Sequence, residues 1–150
     1  MPKYILDTGL YIRATRDEGW NSALEAFAWN FAPFIFLHST VASELLAGAV
    51  SPVLERRTQE RFITPFEATR RVVTPTHQTW KRAALVLAEL IRLKKLSPQA
   101  VTKSFPNDCL IAASAREMGL TVVTENERDF QLISSVLPVE LCPPWPQVVN

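Results

Sequence analysis

Two cysteines, two histidines and four glycines in 150 residues leave this chain short of the side chains from which many active sites are built. Cys109 and Cys142 have no neighbours at metal-ligand spacing, and His38 and His77 are isolated, so a zinc site or a histidine base finds no support. The glycines are unclustered, which excludes a phosphate-cradling loop. No serine sits in a nucleophile-elbow sequence, and acyl transfer falls with it. Apolar runs are short: Leu85-Val86-Leu87-Ala88 meets Glu89, so no membrane span is expected. The start, Met1-Pro2-Lys3-Tyr4-Ile5-Leu6-Asp7, carries acid too early for a signal peptide, and a cytoplasmic protein is expected.

Hydrophobic residues make up 47% of the chain and charged residues 21%, close to the globular average, so one domain over residues 1–150 with a proper core is expected. Short strands are expected at Tyr4–Leu6, Phe34–Leu37, Arg71–Thr74, Thr121–Thr124 and around Val139–Leu141. Between them fall helical stretches: near Leu10–Ala14; from a cap at Asn21-Ser22 to about Trp29; around Thr40–Ala49; and from Pro52 through Phe62. The longest runs from Thr76 to Lys95, with Trp80, Ala84, Leu87 and Ile91 at helical spacing. Another opens near Asp108 and ends at Met118, with Gly119 as its C-cap. Strands alternating with helices predict an α/β fold: a parallel sheet of four to five strands covered on both faces as an α/β/α sandwich.

Acids fall at informative places on this frame. Asp7 stands at the end of the first strand, and ligands of parallel sheets collect outside the carboxyl ends of strands. Glu44 borders an apolar stripe of Val41, Leu45, Leu46 and Ala49. Asp108 opens a helix whose next turns, Cys109-Leu110-Ile111-Ala112-Ala113, are apolar. Asp129 follows the strand that ends at Thr124. Acids framed by apolar residues are costly unless neutralised, and a divalent cation is the simplest neutraliser. Each also has a plain structural reading. Asp7 can cap a helix, Asp108 can be a first-turn acid with Asn107 as the cap, Glu44 can be a surface glutamate, and Asp129 can close a turn.

Taken in order, Ile5-Leu6-Asp7-Thr8, Ser43-Glu44-Leu45-Leu46-Ala47-Gly48, Asn107-Asp108-Cys109-Leu110-Ile111-Ala112-Ala113 and Val123-Thr124-Glu125-Asn126-Glu127-Arg128-Asp129-Phe130 resemble the motif set of PIN-domain ribonucleases. Within that family the chain is most similar to VapC-type toxins of toxin–antitoxin modules. The resemblance implies a Mg²⁺-dependent endoribonuclease, with Mn²⁺ as a substitute. It assigns catalytic roles to Asp7, Glu44, Asp108 and Asp129, with Asp7 and Asp108 as the direct metal ligands. Thr8, Thr124 and Asn126 become supporting residues. Two departures stand out: Asn126 occupies a position where the family often has an acid, and Gly9 replaces a commonly polar residue. An amide still offers a carbonyl oxygen to a hard cation or its water.

The family also implies an RNA substrate, a cognate antitoxin and a homodimer. A net charge of +1 predicts modest RNA affinity, with pairs such as Arg56-Arg57 and Arg70-Arg71 as candidate phosphate contacts. The core is the expected place for most of Trp20, Phe27, Trp29 and Phe31. A phosphoryl-accepting receiver domain would need an acidic pair at the first strand's end, where Thr8 follows Asp7. An aspartyl-nucleophile phosphatase would need an aspartate where Gly9 stands. A PIN-like module that binds RNA or protein without catalysis remains the alternative.

Overall fold

A computed structural model describes residues 2–146. The strands are β1 (Tyr4–Leu6), β2 (Ile35–His38), β3 (Val72–Val73), β4 (Thr121–Val123) and β5 (Leu141–Cys142). The helices are α1 (Thr8–Ala14), α2 (Glu18–Phe31), α3 (Ser39–Ala47), α4 (Pro52–Thr58), α5 (Thr64–Ala68), α6 (His77–Arg92), α7 (Phe105–Met118) and α8 (Glu127–Ser134). A single turn of π-helix, Gln59–Ile63, joins α4 to α5.

The five strands form one parallel sheet in the order β3-β2-β1-β4-β5. Helices flank it, giving the α/β/α sandwich read from the alternation of elements. All three residues of β1 are buried, as a central strand covered on both faces requires. The chain builds outward from β1 through β2 to β3, then α6 and α7 carry it back to lay β4 on the other side of β1. The connections therefore diverge at the carboxyl ends of β1 and β4, the place where parallel sheets collect their ligands.

The core centres on α7, where every residue from Asp108 to Ala115 is buried. Tyr4 of β1 meets Phe27 and Phe31 of α2 edge-on, with ring centroids 5.4 Å apart in both pairs. Each large apolar side chain buried in this way contributes roughly 1.5–3 kcal/mol. Gly119 ends α7 at φ 67, a left-handed conformation that favours glycine, and its N–H caps the Ala115 carbonyl.

Several local expectations need correction. Helix α2 starts at Glu18 under an Asp17 cap that accepts from the Trp20 N–H at 3.0 Å, ahead of Asn21-Ser22. In α6 the buried stripe is Thr79, Ala83, Val86 and Leu90, one residue before Trp80, Ala84, Leu87 and Ile91. Thr79 is drawn inward because its hydroxyl donates to Glu117 of α7 at 2.8 Å, leaving Trp80 55% exposed. Helix α8 was not foreseen; it forms because Phe130 and Ile133, three apart, share a fully buried face. Asn107 does not cap α7, since the capping position is Ser104 and Asn107 lies inside the first turn.

Candidate active site

Asp7 follows the last residue of β1, and its own N–H continues the ladder to the Val123 carbonyl at 3.0 Å. One carboxylate oxygen accepts from the Thr8 N–H at 2.8 Å, so Asp7 does cap α1. The other accepts from the Thr124 hydroxyl at 3.0 Å, across the gap between β1 and β4. Capping and site placement are thus one feature, because the strand end and the helix start are adjacent residues. Thr124, itself buried, also accepts from the Asn126 N–H at 2.9 Å. The Thr8 hydroxyl is buried and has no partner among the described residues.

Asp108 and Glu44 arrive from two helices that are tied together twice. The Asn107 amide donates to a Glu44 carboxylate oxygen at 2.7 Å. Deeper down, His38 at the end of β2 is fully buried. Its Nδ1 accepts from the Thr40 N–H at 3.1 Å, which caps α3. Nδ1 being an acceptor puts the ring proton on Nε2, which then donates to the Ser114 hydroxyl of α7 at 2.9 Å. Burial holds this imidazole down at a pKa of about 4, so it stays neutral. His38 therefore fixes the helix that carries Glu44 to the helix that carries Asp108. Neither tie was anticipated: His38 read as an isolated residue, and Asn107 as a cap.

Asp129 lies in the first turn of α8, where it accepts from the Asn126 side-chain amide at 2.9 Å. Asn126 thus orients an acid, and its carbonyl oxygen is left available. A chain of hydrogen bonds therefore runs from Asp7 through Thr124 and Asn126 to Asp129.

The four acids feel one another. Burial pushes Asp7 up from the usual aspartate value, hydrogen bonds from Thr124 and Thr8 pull it down, and Glu44 and Asp129 push it up. Asp108 is raised to about 8, by burial first and then by Asp7, Asp129 and Glu44. The contrast is in the donors: two hydrogen bonds favour the Asp7 anion, and among the described residues no donor reaches the Asp108 carboxylate. A shift of this kind makes these acids a candidate functional site, because a fold gains nothing from burying mutually repelling acids. Among the described residues the single ion pair is Arg13–Glu125 at 2.6 Å, so no basic side chain neutralises the cluster.

Donor chemistry decides what could neutralise it. The set is oxygen-only, which suits Mg²⁺ or Mn²⁺ over softer ions. Among the described residues no three His, Cys, Asp or Glu side chains close tightly enough to enclose a bare ion. A Mg²⁺ that keeps several waters and is held by one or two carboxylates still fits. The orphaned Thr8 hydroxyl, buried beside Asp7, is suited to such a water.

Cys109 packs inside α7 as a small hydrophobe, its thiol pushed up to about 12 by burial and the neighbouring acids. Arg71 does not offer itself to RNA: its guanidinium donates to the Ala32 and Ile35 carbonyls. Phe27 and Phe31 are core residues and Trp20 is partly buried, but Trp29 is 88% exposed. A cavity of about 350 Å³ is bordered by Tyr11, Phe62, Phe66 and Arg71, and none of the four acids lines it.

The PIN domain family matches residues 4–135, and the chain belongs to that family, whose members are nucleases. Its structure resembles those of toxin–antitoxin components. It aligns to a chain of the DNA-bound VapBC complex from Salmonella typhimurium at 27% identity and TM-score 0.70, covering 95% of this chain and 98% of that one. A chain of FitAcB from Neisseria gonorrhoeae aligns at 19% identity and TM-score 0.67, over 96% and 99% of the two chains. A chain of VapBC-1 from nontypeable Haemophilus influenzae aligns at 18% identity and TM-score 0.64, over 93% and 96%. No curated protein sequence shows a significant match to the chain.

Proposed function

We propose that the protein is a divalent-metal-dependent endoribonuclease, a single domain over residues 1–150, acting as the toxin of a toxin–antitoxin pair. One observation supports this reading: the buried Asp108 carboxyl of α7 is pushed up by Asp7 at the end of β1, by Asp129 of α8 and by Glu44 of α3, and among the described residues none of these acids has a basic partner. Asp7 and Asp108 would hold Mg²⁺, or Mn²⁺ in its place, which supplies charge stabilisation for the attacked phosphate and acidifies bound water. Thr124 and the Thr8 N–H favour the ionised Asp7 carboxylate and aim it. Asn107 holds one Glu44 oxygen, leaving the other to take a proton from the attacking water. Asn126 restrains Asp129, which would hold a further water of the ion.

The toxin role is supported by the likeness to VapBC and FitAcB structures, and it brings with it an RNA substrate, a neutralising antitoxin, a homodimer and a cytoplasmic address. Among the described residues no helix is long and apolar enough to cross a membrane. Asn126 favours one second reading, a PIN-like module that binds RNA or protein without cutting. A single experiment separates the two: incubation of single-stranded RNA with the protein and Mg²⁺ or Mn²⁺, alongside Asp7→Ala and Asp108→Ala. Cleavage that needs the ion and both acids establishes the nuclease. Binding without cleavage establishes the module, and cleavage that survives chelation or both substitutions removes this site from the chemistry.

A further inference from the structure

A second cavity, about 270 Å³, opens beside the carboxylate cluster between α1, α3 and α4. Glu44 lines it, so cluster and cavity share a wall. The inner surface is Leu45 and Phe62, both buried. The rim is Ile12 and Leu54, apolar side chains left 37% and 44% exposed. Gly48 closes the α3 end with φ −81, a conformation open to any residue. A Cβ there would meet only the Glu44 and Leu45 carbonyl oxygens, at an ordinary 3.7 Å. The backbone does not require glycine at this position; the missing side chain keeps the cavity open.

We propose that this cavity seats one unstacked nucleobase of the RNA strand, next to the scissile phosphate; the inference rests on the nuclease reading of the adjoining cluster. The space is below the usual range for a drug-sized ligand, which suits one planar ring. The apolar lining of Ile12, Leu45, Leu54 and Phe62 would cover a ring's faces, as bases splayed from single-stranded RNA require. The ring edge meets hydroxyls. Thr15 donates its own proton to the Ile12 carbonyl at 2.6 Å and so presents acceptor lone pairs, and Thr58 lies across the cavity. Arg16, at the α1 side, has no acidic partner among the described residues and is placed for the adjoining phosphate. Glu44 repels phosphate from the inner end, which orients the strand base-inward. Continuity with the acids and this charge arrangement favour RNA over a side chain of a protein partner.

Two readouts test it, using the full chain. In the first, a pool of single-stranded RNA oligonucleotides of random sequence is cut with Mg²⁺ and the products are sequenced. Wild type is expected to prefer certain bases at one position beside the cut, and Gly48→Leu to flatten that preference by roughly tenfold. Leu54→Glu, on the exposed rim, gives a second variant that leaves the core alone. In the second, 2′-O-methyl trinucleotides, which resist cleavage, are titrated while the methyl resonances of Ile12, Leu45 and Leu54 are followed. Shifts in wild type that vanish in Gly48→Leu support the subsite. Cutting with unchanged base preference in both variants overturns the subsite and leaves the nuclease intact. If wild type does not cut at all, the nuclease reading fails and this one with it. Methyl shifts produced by an antitoxin peptide and not by the oligonucleotides would assign the cavity to a protein partner and overturn the proposal.

Discussion

Asp108 is costly to the fold and, in the function proposed above, necessary to the site. Its carboxyl is held at about 8 against an ordinary 3.8, so between these values the folded chain keeps a proton that the unfolded chain has lost. Folding is therefore favoured at low pH, and this contribution fades as pH rises toward 8. Asp108→Asn is expected to abolish cleavage and yet to raise the thermal midpoint of the metal-free protein at pH 8. Thermal unfolding of both proteins with chelator present checks this. A lower midpoint for the variant would mean that the acids do not repel as described. Thr124→Val keeps shape but removes the hydrogen bonds to Asp7 and Asn126; a loss of roughly 10–100-fold in cleavage rate is expected, with the fold retained.

Elements carry the next lesson, because α3 and α7 hold their acids through His38 and Asn107. His38→Ala leaves the Thr40 N–H and the Ser114 hydroxyl without partners in a buried place, a cost of about 2–3 kcal/mol. Chemical denaturation should show that loss. Both ties escaped sequence reading for the same reason: their partners lie 76 and 63 residues away. Asp7 and Asp108 were legible because local cues, a strand end and an apolar helix, already mark them. In α6, two adjacent apolar stripes at 79/83/86/90 and 80/84/87/91 both satisfy helical spacing. The Thr79–Glu117 hydrogen bond favours the first, together with the core packing of Ala83, Val86 and Leu90. Helix α8 was hidden because its charged first turn, Glu127-Arg128-Asp129, reads as a polar turn, and its buried side rests on Phe130 and Ile133 alone.

At the scale of the whole molecule, two buried groups act in opposition. His38 titrates at about 4 when folded and 6.5 when not, so its contribution is lost as pH falls from 6.5 toward 4. The Asp108 contribution is lost as pH rises from 3.8 toward 8. From these two groups, metal-free stability should be nearly flat between pH 4 and 6.5 and then decline toward pH 8. The decline is roughly 1–2 kcal/mol, a few degrees in thermal midpoint. Asp7 is raised as well, so it too favours the folded state below its folded pKa and loses that contribution as pH rises from 3.8. A cation bound by these carboxylates displaces protons and stabilises the fold by mass action, so Mg²⁺ should remove the decline. A midpoint that rises from pH 6.5 to 8 without metal would contradict this account.

Convergence of Asp7 and Asp108 on one divalent ion is the claim on which the rest stands, and calorimetric titration of Mn²⁺ at pH 8 tests it without any substrate. Wild type is expected to bind, with protons released to the buffer, and Asp7→Asn and Asp108→Asn each to weaken binding by roughly 10–100-fold or more. Equal binding by wild type and both variants would contradict it.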